Sequence, residues 1–175
     1  MQQPASSSTS VVMAADSGPN IALDSLTRQN NTTPYIAGDI VCAMAGDPLA
    51  PIPLVFTVAR ANGGTGQILR AVCMSPTVDA GLDTILLYLF TAAPTMADDN
   101  AQFATAMTSA CIGVIPLTLQ PAIAGGTVWQ SAAGVQFAYN CAAAAATLWG
   151  VAVAGDGWTP TAVQQLHFRL HLDRN

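Results

Sequence analysis

From Leu166 to Asp173 the chain alternates without a break. Leu166, Phe168, Leu170 and Leu172 fall on one side, and His167, Arg169, His171 and Asp173 on the other. A period of two is that of a β-strand with one dry face and one wet face. Similar runs recur upstream. Ile36–Met44 alternates around Ile40 and Cys42, and Pro53–Arg60 sets Leu54, Phe56 and Val58 on one face. Thr84–Phe90 is a continuous apolar run, as expected of a strand covered on both faces. Ser109–Leu119, Thr127–Gln130, Val135–Asn140 and Thr147–Ala154 supply further strands. Asn62-Gly63-Gly64-Thr65-Gly66 is a tight-turn signal and predicts a hairpin between Pro53–Arg60 and Gln67–Met74. The best short-helix candidate is Asp98–Phe103, with Asp98 as its N-cap. Many short strands and few helices predict an all-β fold, a two-sheet β-sandwich of jelly-roll type over residues 21–175.

Residues 1–20 have no apolar periodicity and are rich in Ser, Thr, Gln and Pro. They read as an extended N-terminal arm. Such an arm cannot offset its ordering entropy with its own burial, so another chain is expected to order it, with Val11, Val12 and Met13 as the apolar contact.

Composition changes the picture further. Charged residues make up 9% of the chain, mean hydropathy is +0.42, and every charge is Asp or Arg, with no Lys and no Glu. Soluble domains carry about a quarter of their residues charged. From Asn100 to Gly155 there is no charged side chain. Much of the exterior is therefore expected to face protein rather than water. The net charge of −5 and the five scattered arginines, Arg28, Arg60, Arg70, Arg169 and Arg174, speak against nucleic acid as a partner. The start of the chain lacks a basic n-region followed by an apolar core, so no secretory signal is read there. Cys42, Cys73, Cys111 and Cys141 are accordingly expected to be free, buried thiols. The uncharged stretch 137–155 is long enough for a membrane helix, but polar residues interrupt it and no basic residue flanks it, so it reads as two strands around an Ala-rich connection.

The candidate chemistry is sparse. His167 and His171 would lie about 13 Å apart on a strand, too far to share one metal ion. Asp98-Asp99-Asn100 lacks the spaced ligands of a calcium loop. Asp83-Thr84 is followed by Ile85 where an aspartic protease has glycine, and Gly63-Gly64-Thr65-Gly66 lacks the Lys of a phosphate loop. No nucleophile stands with a base, so no catalytic residue, cofactor or metal site is assigned and the chain is not read as an enzyme. Trp149 reads as core. Trp158, in a Gly-Asp-Gly-Trp-Thr-Pro loop, is the candidate partner anchor. With Asp156 it would also serve a glycan-binding module.

Several segments in order resemble the head decoration, or cement, proteins of tailed bacteriophages. They are Tyr35-Ile36-Ala37-Gly38-Asp39-Ile40-Val41, then Phe56-Thr57-Val58-Ala59-Arg60-Ala61-Asn62-Gly63-Gly64-Thr65-Gly66. Leu87-Tyr88-Leu89-Phe90 with Ala93-Pro94-Thr95 and Asp99-Asn100 follows, and then Leu148-Trp149-Gly150-Val151-Ala152-Val153-Ala154 with Thr159-Pro160. The resemblance implies a jelly-roll fold, a place on the capsid exterior of the virion, and a dimer or trimer that bridges subunits of the major capsid protein. It implies no catalytic residue.

Overall fold

The computed structural model describes residues 20–45, 50–78, 81–103, 110–121 and 125–174. Val11, Val12 and Met13, and all of the arm but Asn20, lie outside the described residues. Within these, the alternating runs become β1 (Ile21–Thr27), β2 (Ile40–Val41), β3 (Ala43–Ala45), β4 (Ala50–Ile52), β5 (Leu54–Thr57) and β6 (Thr65–Ser75). They continue as β7 (Thr84–Phe90), β8 (Cys111–Leu119), β9 (Thr127–Gln130), β10 (Phe137–Asn140), β11 (Thr147–Ala154) and β12 (Gln165–Arg174). No helix occurs among the described residues. The fold is all-β and sandwich-like.

One antiparallel sheet carries ten strands in the order β1-β12-β6-β9-β8-β7-β11-β2, with β10 added to β6 and β5 to β11. β3 and β4 form a small second sheet. The large sheet curls until β1 lies beside β5. Its concave side holds the main core, including Leu26, Phe56, Ile68, Leu87, Leu117, Trp129, Leu148 and Phe168. Leu166, Phe168, Leu170 and Leu172 point into this core, while His167 is exposed and His171 half-buried. The alternation in the sequence predicted that arrangement.

A second cluster covers the convex side of β7 and β11. Ile40, Cys42, Phe90, Val151 and Val153 form it, with Leu86, Tyr88, Met96, Phe103 and Trp149 packed around them. Phe103 reaches back from the β7–β8 connection to lie 4.6 Å, centroid to centroid, from Tyr88. This second layer explains why Thr84–Phe90 is apolar on both faces. Trp149 belongs to it and is only partly buried.

Two expectations are corrected. Pro53–Arg60 and Gln67–Met74 do not form a hairpin: β5 pairs with β11, Phe56 opposite Leu148, and β6 pairs with β12, β9 and β10. The glycine-rich turn instead begins a crossover tied to the Ala-rich connection, for Val58 and Ala59 both donate to the Ala146 carbonyl and Gly63 donates to that of Ala145. Leu54, Phe56 and Val58 and the inward residues of β6 fill one core from separate parts of the curled sheet. Turn chemistry encodes the reversal of the chain but not the strand on which it lands.

Asp98–Phe103 is not a helix. Asp98 and Ala101 close a single turn, and Asn100 takes a φ of 63°. The backbone amides of Asn100 and Phe103 donate to Ile40 and Gly38. Docking onto the strand segment around β2 satisfies the groups that a helix would have paired internally.

The open edges of the curled sheet face each other at β1 and β5. The Asp24 carboxylate bridges them, accepting from the Val55 amide at 2.5 Å through Oδ2 and from the Ser25 amide at 2.7 Å through Oδ1. Further along, Arg174 Nη2 donates to the Thr57 carbonyl at 3.4 Å. Side chains thus do at this seam what a backbone ladder does elsewhere. Asp24→Ala is expected to cost about 1–2 kcal/mol, the lower part of the range for charge-assisted hydrogen bonds because the site is partly solvated. Amide exchange at Val55 should accelerate, and unchanged protection there would show that the carboxylate does not hold the seam.

Candidate functional site

A buried polar network centres on Arg28. Arg28 follows β1 directly, is 1% exposed, and pairs with Asp99 across 3.4 Å. Its Nε donates to the Tyr35 hydroxyl at 2.5 Å, and its Nη atoms reach the Thr161 carbonyl and Asn31 Oδ1. The guanidinium carbon lies 4.6 Å from the Tyr35 ring centroid and 5.5 Å from that of Trp158. Tyr35 in turn donates to Asp99 Oδ1 at 2.7 Å, and the Cys42 amide donates to the same oxygen at 3.0 Å. Burial, with the neighbouring Asp99 carboxylate, pushes the Tyr35 phenol well above its ordinary range. This node fastens the β1–β2 loop, the β7–β8 connection and the β11–β12 loop to one ion pair. It has no exposed reacting group, and its chemistry is structural.

Trp158 belongs to this node. It is 3% exposed and stacks on Tyr35 with ring centroids 5.2 Å apart. Its loop folds inward because Tyr35 and Trp158 exchange backbone hydrogen bonds as an isolated bridge. The expectation of a surface anchor at Trp158 is therefore corrected: the indole is consumed within its own chain. Asp156, its companion in the glycan reading, accepts the Asp83 amide with both carboxylate oxygens at 3.0–3.2 Å. No spacing motif announces the Arg28–Asp99 pair. The available signal was rarity, since each charge in so apolar a chain needs a reason.

The four cysteines are free; Cys42, Cys73 and Cys141 are buried and Cys111 is partly exposed. Burial, with Asp99 and Asp98 nearby, pushes the Cys42 thiol up to about 12, so it stays protonated at neutral pH. Only the thiolate is nucleophilic. Iodoacetamide at pH 8 should label native protein at Cys111 first and leave Cys42 unmodified until unfolding, after which all four sites label without reductant. Rapid native labelling of Cys42 would contradict its burial.

The outer face of β12 and its neighbours carries exposed polar side chains. His167, Arg169 and His171 lie opposite Ser25, Leu23 and Ile21 of β1 and opposite Met74, Val72 and Arg70 of β6. A depression of about 370 Å³ is lined by Leu23, Asp24, Ser25, His167, Phe168 and Arg169. Arg70 Nη2 bonds Gln130 Oε1 of β9, and Arg169 makes no hydrogen bond or ion pair among the described residues. The basic residues are thus less scattered than they read in the sequence: strand pairing brings Arg70 and Arg169 together with both histidines. Among the described residues no group of three or more His, Cys, Asp or Glu side chains is placed to hold a metal ion, and no helix is long and apolar enough to cross a membrane.

The fold defines a β-sandwich-like all-β protein. Comparison with protein-family models and with curated proteins finds no match to this chain.

Proposed function

We propose that this chain is a structural virion protein, a decoration or cement protein that binds the outer surface of a phage head and bridges subunits of the major capsid protein. The observation that carries the reading is the charge pattern, with no Lys, no Glu and no charged side chain from Asn100 to Gly155. Lys and Glu are staple residues of solvated surface. Exposed apolar side chains agree with it: Leu23, Ile36, Val78 and Val163 are each more than half exposed. A ligand that binds only the assembled shell stabilises that shell by mass action. A sandwich fastened by a buried ion pair suits the role, because a rigid bridge loses little entropy on docking. The arm, residues 1–20, is assigned to the neighbouring subunit or the capsid protein through Val11, Val12 and Met13, in a dimeric or trimeric assembly.

Co-sedimentation with intact particles tests the reading. The protein should travel with the particles and leave them before the major shell protein on denaturation. Deleting residues 1–20 should leave the melting temperature of the sandwich within about 2 °C, a shift worth about 0.5–1 kcal/mol for a domain of this size. The same deletion should weaken particle binding or oligomerisation. A truncated protein that decorates with unchanged affinity and remains the same oligomer would remove the arm from the mechanism.

A further inference from the structure

The outer face of β12 holds His167, Arg169 and His171, with Asp173 at its end, and Arg70 of β6 stands directly opposite His171. Alternate residues of a strand project about 6.6 Å apart, and neighbouring strands lie about 4.8 Å apart. The four basic side chains therefore form one patch rather than separate charges. In a chain of net charge −5 with only five arginines and two histidines, that is a concentrated cationic surface. Arg28 is committed to Asp99 in the interior, whereas Arg169 is uncommitted among the described residues. The depression beside it has one exposed apolar side chain, Leu23, and hydroxyl and imidazole groups from Ser25 and His167. The one carboxylate at its edge, Asp24, is already engaged with the Val55 and Ser25 amides.

We infer that this patch is a docking site for an acidic segment of a partner protein, its carboxylates received by Arg70 and Arg169 and an apolar side chain seated beside Leu23. Charge complementarity selects the occupant, since a guanidinium receives a carboxylate through two parallel hydrogen bonds. The inference rests on the reading of the chain as a protein-binding structural component and adds the chemistry of the contact.

The site also responds to pH. The groups facing His171 are Arg70 on β6 and Arg169 and Asp173 on its own strand, while β1 presents uncharged Ile21 opposite it. Partial burial, then Arg70 and Arg169, hold His171 below its ordinary range. A docked carboxylate favours the protonated ring, so binding tightens as pH falls.

The probe is a fluorescein-labelled hexa-aspartate peptide, followed by anisotropy in low salt with the full chain. Saturable binding is expected. Arg70→Gln with Arg169→Gln should weaken it at least tenfold while the melting temperature holds, and Arg60→Gln should change it less than twofold. Lowering the pH from 7.5 to 5.5 should tighten binding at least threefold, and His167→Gln with His171→Gln should abolish that gain. Absence of saturable binding, or a double variant that binds as the parent does, overturns the site. Equal binding of a DNA oligonucleotide of matched charge, lost in the same variant, overturns the acidic-protein assignment in favour of a general polyanion surface. Particle sedimentation separates the two proposals. If the double variant still decorates particles fully, the site fails and the decoration reading stands; if the parent binds peptide but no particle, the reverse holds.

Discussion

Asp99→Ala is expected to destabilise the protein by about 3–5 kcal/mol, the cost of leaving a buried charge without its partner. Arg28 is 1% exposed and cannot turn to water. The same substitution strips the acceptor from the Tyr35 hydroxyl and the Cys42 amide. Against a total of about 5–15 kcal/mol for a single domain, the loss brings the fold close to its limit. Urea denaturation at pH 7 measures it. The double variant Arg28→Met with Asp99→Leu should recover much of the loss, because removing both charges removes the penalty of desolvating either. A single-variant loss under about 1 kcal/mol would mean that water reaches Arg28 and that the three connections are not fastened there.

Phe168→Ala is expected to cost about 3–5 kcal/mol as a large-to-small truncation in a filled core. Phe168 is 1% exposed and lies in the middle of β12, opposite Cys73 on β6 and Asp24 on β1. β12 is hydrogen-bonded on both sides, so its backbone is not free to collapse into the space left behind. His167→Ala, one residue away on the wet face, should change stability by less than about 0.5 kcal/mol, as exposed substitutions usually do. The contrast between neighbours is the test. Equal effects at the two positions would contradict the alternation of β12.

That alternation is legible in the order of the residues. Leu166, Phe168, Leu170 and Leu172 have only one way to share a face in a strand, and the continuous run Thr84–Phe90 calls for cover on both sides, which Phe103 and Met96 help to provide. Strand identity and the division of inside from outside follow from local period, since a strand's side chains alternate whatever its partner. The expected helix at Asp98–Phe103 shows where local signals stop. Asp98 is a good cap, but the segment's amides bond to Gly38 and Ile40, sixty or more residues earlier in the chain.

Pairing and placement came from the fold. The turn at Asn62–Gly66 reverses the chain, yet whether β6 returns along β5 or crosses to β12 depends on how all the apolar faces fill one core. Trp158 stands in a loop of small and polar residues that reads as surface, and becomes interior only because Tyr35 and Arg28 arrive from the other end of the chain. Arg70 and Arg169 look unrelated at a separation of ninety-nine positions, and register alone sets them on neighbouring strands. Periodicity is carried by adjacent residues and survives in the bare sequence. The ion pair, the seam at Asp24 and the basic patch join distant residues, and exist only once the closing of the core has chosen the register.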